Sequence, residues 1–289
     1  MNTTTPDQPS TAASGESPVL LVGGTGKIGR RLAARLRVMG LPVRVASRSG
    51  NPRFDWHDDS TWDSVVRGAH RMYLATPEEE VPVAAFVTRA VAAGVRRVVA
   101  LSGRGLEEWG EDFGAGMRGV ETAVRESGAE WSIMRPTNFN QNFDEYSFRP
   151  AIMAGELALP MAGVPERFID AEDIAAVAAV LLTEDGHQGR AYEMSGPEAL
   201  TFGEAVEIIA RASGRAVTYR DVEPDEYLRA LLDDGVDQEE AASLGAMFSI
   251  MRRGVLNTPA TGVREVLGRE PIDFTSYALR AAAAGAWAT

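Results

Sequence analysis

The stretch Val19-Leu20-Leu21-Val22-Gly23-Gly24-Thr25-Gly26-Lys27-Ile28-Gly29 decides the fold. A short apolar run enters a glycine turn. The pattern Arg30-Arg31-Leu32-Ala33-Ala34-Arg35-Leu36 then predicts a helix. Gly23, Gly26 and Gly29 fall three residues apart. In a dinucleotide-binding turn, one glycine makes the tight bend. A second lets the backbone approach pyrophosphate, and a third lets the helix lie close to the strand. The helix start offers free N–H groups and the positive end of its dipole to phosphate. A strand before and a helix after are the context that such a motif requires. Gly23, Thr25, Gly26, Lys27, Ile28 and Gly29 are therefore expected to contact a dinucleotide.

The surroundings agree with an anionic ligand. Formal net charge is −12, which argues against general nucleic-acid binding. Yet no Asp or Glu occurs between Ser17 and Phe54, while Lys27, Arg30, Arg31, Arg35, Arg37, Arg44, Arg48 and Arg53 do. A local positive field of this kind favours an anion at this end of the chain. Leu41 to Ser47 is expected to be the second strand. It ends in Ser47-Arg48-Ser49, without the carboxylate that would take the ribose hydroxyls of NAD. An arginine among hydroxyls suits a 2′-phosphate, so NADPH is favoured over NADH.

Further along, apolar strands at 71–75, 97–101 and 130–135 alternate with helical stretches at 60–67, 81–93 and 116–127. This predicts an α/β protein with a Rossmann-type, doubly wound parallel sheet. Ligands of such sheets sit at the C-terminal strand ends, here Gly23, Ser47, Thr76, Ser102 and Pro136. Residues 1–17 are expected to be a disordered tail, 18–136 the cofactor-binding core, and 137–289 a smaller, mostly helical substrate lobe. Segments at about 165–195 are expected to return to the core. Asp170 is a candidate N-cap for a helix over 171–182, and Thr201 with Glu204 forms a capping-box pattern. The stretch 221–253 is expected to be helical, acidic at first and then lined by Leu244, Met247, Phe248 and Met251. Methionine-rich faces of this kind make adaptable apolar walls.

The chain resembles the atypical short-chain dehydrogenase/reductases of the NmrA-like type. The resemblance rests on Val22 to Gly29, on Val43-Arg44-Val45-Ala46-Ser47-Arg48 and on Leu101-Ser102-Gly103. It continues through Ser127 to Pro136, Phe168 to Ala175 and Ala191 to Leu200. It implies a Rossmann core, usually NADPH, and a C-terminal lobe for substrate. Cofactor contacts are then also expected at Ser47, Arg48, Asp55, Trp56, Ala75, Thr76 and Pro136. The substrate pocket is expected at Thr76, Asn138, Phe139, Asn142, Met247, Phe248 and Met251.

The resemblance also marks a gap. Active short-chain reductases carry a Tyr-x-x-x-Lys pair, often followed by a Glu. Glu121 matches that Glu or is an exposed helix residue. Counting back from it places Phe113 and Met117 at the Tyr and Lys positions, and neither can carry a proton. Ser102 ends its strand where a reductase serine would stand, as a donor to a substrate oxygen or as a turn cap beside Gly103. Three readings follow. Hydride transfer proceeds with protonation from substrate or water, on an aromatic ketone or quinone of specialised metabolism. Alternatively the chain is an NADPH-binding redox sensor, or it binds a small molecule without cofactor turnover. The first is favoured because the lobe is long, apolar and Met-rich. No cysteine is present, so there is no thiol chemistry. His57, His70 and His187 are scattered, and no metal-ligand spacing or Gly-x-Ser-x-Gly occurs. No apolar run approaches the length of a membrane span. A cytoplasmic monomer or homodimer is expected.

Overall fold

The computed structural model describes residues 17–77, 79–110 and 114–288. Six parallel strands build the main sheet: β1 (Val19–Val22), β2 (Val43–Ala46), β3 (Arg71–Leu74), β4 (Arg97–Leu101), β5 (Glu130–Pro136) and, at one edge, a later strand at Arg190–Met194. A separate parallel pair is formed by β6 (Glu156–Leu159) and β8 (Thr218–Asp221), so the edge strand Arg190–Met194 is β7. Helices α1 (Lys27–Val38), α2 (Trp62–Val66), α3 (Val83–Ala92) and α4 (Ala115–Glu126) connect the first five strands. Helices α5 (Arg149–Ala154), α6 (Ala171–Thr183) and α7 (Phe202–Ser213) follow. The chain continues through α8 (Pro224–Asp233), α9 (Gln238–Arg252), α10 (Gly262–Leu267) and α11 (Phe274–Ala283).

The sheet order is β2-β1-β3-β4-β5-β7. The chain runs outward from β1 to β2 and then crosses back over β1 to β3. The order therefore reverses at β1, and a crevice opens above its C-terminal end. The β1–α1 glycine turn lies at this switch point. All four residues of β1 are buried, as a central strand covered on both faces requires. On one face, Ile28, Leu32 and Leu36 of α1 pack with Ile174, Val177 and Leu181 of α6. On the other, Phe86 and Val87 of α3 pack with Val120 and Val124 of α4.

A third core belongs to the C-terminal part of the chain. Phe143, Phe168, Phe202 and Phe274 form it, with ring centroids 5.0–5.8 Å apart and mostly edge-on or tilted. Asp170 joins this part to the sheet. It caps α6 by accepting from the Glu172 N–H at 2.9 Å, accepts from Gln141 at 2.9 Å, and pairs with Arg280 of α11.

Two features differ from the sequence reading. The expected single helical stretch at 221–253 is two helices. Gly235 adopts φ 87° between them, and Asp237 caps α9 by accepting from the Glu239 and Glu240 N–H groups. The β6–β8 pair was not expected, because four-residue, half-exposed strands leave no clear period.

Close approach at the turn is strict. A Cβ at Gly29 would stand 2.2 Å from the Gly23 carbonyl oxygen and 2.5 Å from the Gly24 Cα. Gly29→Ala should therefore destabilise the protein by about 1–3 kcal/mol, seen as a lower denaturation midpoint. Unchanged stability would show that α1 can withdraw from the turn at no cost.

Candidate cofactor and substrate site

The β1–α1 turn opens onto a cavity of about 360 Å³. Gly23 sits at φ 79° with Ala75 against it, so that a Cβ there would meet the Ala75 carbonyl oxygen at 2.8 Å. Gly26 is the N-cap of α1 and makes no side-chain cap, so the first N–H groups of the helix remain available to a ligand. These features form a cradle in which ligand atoms can approach backbone closely. Ile28, Tyr73, Leu101, Phe139 and Tyr146 supply apolar and aromatic walls.

Lys27, Arg30 and Glu145 make the polar rim. Lys27 donates to the Asn142 Oδ1 at 2.7 Å and lies 5.1 Å from the centroid of the Tyr146 ring. Arg30 pairs with Glu145, and Arg31 donates to Glu145 at 2.6 Å and to Glu172 at 3.0 Å. Burial pushes the Glu145 carboxyl up, but the Arg31 and Arg30 guanidinium groups outweigh it and hold the pKa below the usual value.

The basic stretch is thus largely neutralised by later segments. Arg35 reaches Glu172, Arg53 reaches Asp55 and Asp58, and Arg44 donates to the carbonyls of Val65 and Arg67. Arg48 is different. It is exposed just beyond β2 and has no hydrogen bond or ion pair among the described residues.

The other expected contacts divide. Ala75 touches the turn, Thr76 is half-buried just beyond it, and Pro136 ends β5. Thr25 is exposed on the turn. Asp55 and Trp56 are not among the cavity's walls. Asp55 salt-bridges Arg53 at 2.7 Å, and Trp56 packs edge-on against Phe54 and Phe86. Phe139 and Asn142 are at the cavity or bonded to its rim. Asn138 lies beside Met251, its Nδ2 3.7 Å from the sulfur. Phe248 is a correction. It is buried in the lobe core against Tyr227, with ring centroids 5.1 Å apart, and Met247 packs on the same core. These side chains fill the lobe because α9 needs an apolar face to dock.

Ser102 is a second correction. It is 3% exposed and donates its hydroxyl proton to Glu121 at 2.7 Å. That proton is committed and is not offered to a substrate oxygen. Nor is Glu121 an exposed helix residue. It is buried and receives two bonds of 2.7 Å from Arg135. Burial raises its pKa, but the bonds from Arg135 and Ser102 prevail and lower it. Met117 does lie at this strand end, since a Cβ on Gly103 would be 3.0 Å from its sulfur. Phe113 lies outside the described residues. Among the described residues, no group of His, Cys, Asp or Glu side chains could hold a metal, and no helix is long and apolar enough to cross a membrane.

Sequence reading missed Tyr73, Leu101, Arg30, Glu145 and Tyr146 as cavity-lining residues, and Glu166 beside Asn138. Glu166 is fully buried, accepts from Asn138 Nδ2 at 3.3 Å and leaves its other oxygen without a partner among the described residues. Burial pushes its pKa up to about 7, against smaller opposing effects of Asn138 and Arg104. Only a fold can reveal this, because nothing in Val164-Pro165-Glu166-Arg167 signals burial.

The geometry defines a dinucleotide-binding Rossmann protein. A family model, the NmrA-like family, matches residues 15–263. An uncharacterized oxidoreductase, YesF, of Bacillus subtilis is 32% identical over 280 residues, covering 93% of this chain and 96% of that protein. A (4-alkanoyl-5-oxo-2,5-dihydrofuran-3-yl)methyl phosphate reductase of Streptomyces griseus is 33% identical, covering 90% of this chain and 96% of that one. Among solved structures, an NADPH-dependent quinone oxidoreductase from Escherichia coli complexed with NADPH superposes with a TM-score of 0.76 at 20% identity, covering 91% of this chain and 99% of that one. The chain belongs to the NmrA-like family.

Glu166 gives a pH test. Its folded-state pKa is raised, so the folded state holds a proton that the unfolded chain releases above about pH 4.5. Stability from this group is full below that value and is lost as pH rises through about 7. Glu166→Gln keeps the acceptor for Asn138 and removes the titration. The variant should match the wild type near pH 4 and exceed it by on the order of 2–3 kcal/mol at pH 8, measured by urea unfolding. A constant difference across that range would contradict the assignment.

Proposed function

We propose that this chain is an NADPH-dependent oxidoreductase that reduces a carbonyl of a flat aromatic substrate, a polycyclic ketone or a quinone. One observation carries the reading: a glycine cradle at an uncapped helix start opens directly onto a cavity walled by Leu101, Phe139, Tyr73 and Tyr146. The first half of that arrangement suits a dinucleotide, and the second suits a planar apolar partner beside it. NADPH held there supplies a hydride. The name of the Escherichia NADPH-dependent quinone oxidoreductase supports the cofactor and a quinone acceptor, and that of the Streptomyces reductase supports reduction of a small molecule.

The residues then take these roles. The backbone of Gly23 to Gly29 and the start of α1 hold the pyrophosphate. Ser47 and Arg48 take the 2′-phosphate. Phe139, with Asn138 and Thr76 near it, positions the substrate and excludes water from the reacting carbon. Glu121 and Arg135 keep Ser102 fixed, and the Ser102 oxygen can accept a hydrogen bond but not supply a proton. Phe113 and Met117 have none to give. In this reading the product oxygen takes its proton from water or from a neighbouring substrate hydroxyl. Quinones and hydroxylated aryl ketones tolerate this, whereas isolated aliphatic ketones do not.

Two outcomes are expected. NADPH should be oxidised, as followed by its absorbance, with quinones or hydroxylated aryl ketones, and not with simple aliphatic ketones. Binding of NADPH without turnover on any of these would favour a sensor. Arg48→Ala should weaken NADPH binding about tenfold or more while leaving NADH binding nearly unchanged, as read by fluorescence titration. Equal losses for both nucleotides would remove the 2′-phosphate assignment.

A further inference from the structure

The floor of the cavity holds a polar group that the proposed reaction does not use. Tyr73 belongs to β3 and is 1% exposed, among Ile28, Leu32 and Val99. It lines the cavity, yet its hydroxyl has no hydrogen bond among the described residues. Burial alone pushes its pKa up, so the phenol stays protonated and is a donor at any working pH. A buried tyrosine normally finds a partner for its hydroxyl, because leaving it unpaired wastes the desolvation of that group. Phenylalanine would fill the same apolar space without that cost. The Tyr73 side chain faces the cavity, where a ligand can complete the bond.

Its position says which ligand. The strand order places β2, with Ser47 and Arg48, on one side of β1, and β3, β4 and β5 on the other. Leu101 at the end of β4 and Phe139 just beyond β5 line the same cavity as Tyr73. Tyr73 thus lies on the side of the glycine turn away from the 2′-phosphate, where the other half of the dinucleotide extends. It is also on the α1–α6 face of the sheet, opposite the α3–α4 face whose core includes Val120 of α4.

We propose that Tyr73 is a cofactor-positioning residue whose hydroxyl donates a hydrogen bond to an oxygen in the nicotinamide half of the dinucleotide. This rests on the reading of the cavity as an NADPH site. The bond fixes the nicotinamide half against the Ile28 and Phe139 walls and leaves the adenosine half to Arg48.

The test is Tyr73→Phe, with binding read apart from activity. NADPH and adenosine 2′,5′-bisphosphate, which lacks the nicotinamide half, are titrated calorimetrically against wild type and variant. The variant should bind NADPH about three- to tenfold more weakly and the bisphosphate equally well. Its melting temperature without ligand should equal or exceed that of the wild type, since no bond within the protein is lost. Unchanged NADPH affinity, an equal loss for both ligands, or a lower melting temperature would each overturn the assignment. Reduced turnover at unchanged NADPH affinity would move the hydroxyl to the substrate and also overturn it. A wild type that binds the bisphosphate but not NADPH, or neither, would count against the reductase reading itself.

Discussion

The close approach of α1 to the β1 turn is the constraint on which the rest depends. With only hydrogen at Gly29, the helix can lie against the Gly23 carbonyl, and its uncapped start then points across the turn. Ile28, Leu32 and Leu36 are set by that placement onto one face of the sheet, where α6 covers them. The cavity forms because the chain reverses direction at the same strand. The close packing of α1 and the opening of the cavity therefore depend on the same few glycines.

Charge is arranged around this turn in a less direct way. Glu145 and Glu172 come from segments far along the chain and meet Arg30, Arg31 and Arg35 on the exposed side of α1. These pairs tie the cofactor helix to α6 and to the segment that leads into α5. Surface pairs contribute little individually, but here several share partners at half-buried positions. Most of the local positive charge is spent within the protein, while Arg37 and Arg48 stand exposed with no side-chain partner among the described residues.

The glycine turn, the alternating strands and the caps at Asp170 and Thr201 were legible because their signals lie within a few residues. The parallel sheet and its Rossmann character follow from them. Of the cavity-lining residues, those legible lie at the glycine turn or near strand ends: Gly23, Gly26, Lys27, Ile28, Gly29, Ala75 and Phe139. Glu145, Tyr146 and Glu166 carry no such mark, since what matters is which distant segment they meet. The role expected for Ser102 failed for the same reason. Its partner Glu121 is a helix away, and only the fold shows that the hydroxyl proton is already bound. The Met-rich pattern of α9 was real, but Phe248 serves the lobe's own core, as an amphipathic face does when it has a neighbour to bury against.

The proposed chemistry places the burden on position more than on acid–base groups. The walls of Leu101, Phe139 and Tyr146 shape the space beside the cradle. The most direct test of this account is label transfer from NADPH deuterated at the nicotinamide C4, with a hydroxylated aryl ketone as acceptor and mass spectrometry of the product. Deuterium on the former carbonyl carbon, from one face of the nicotinamide only, is the predicted result. Product or bound NADPH without transferred label would contradict it.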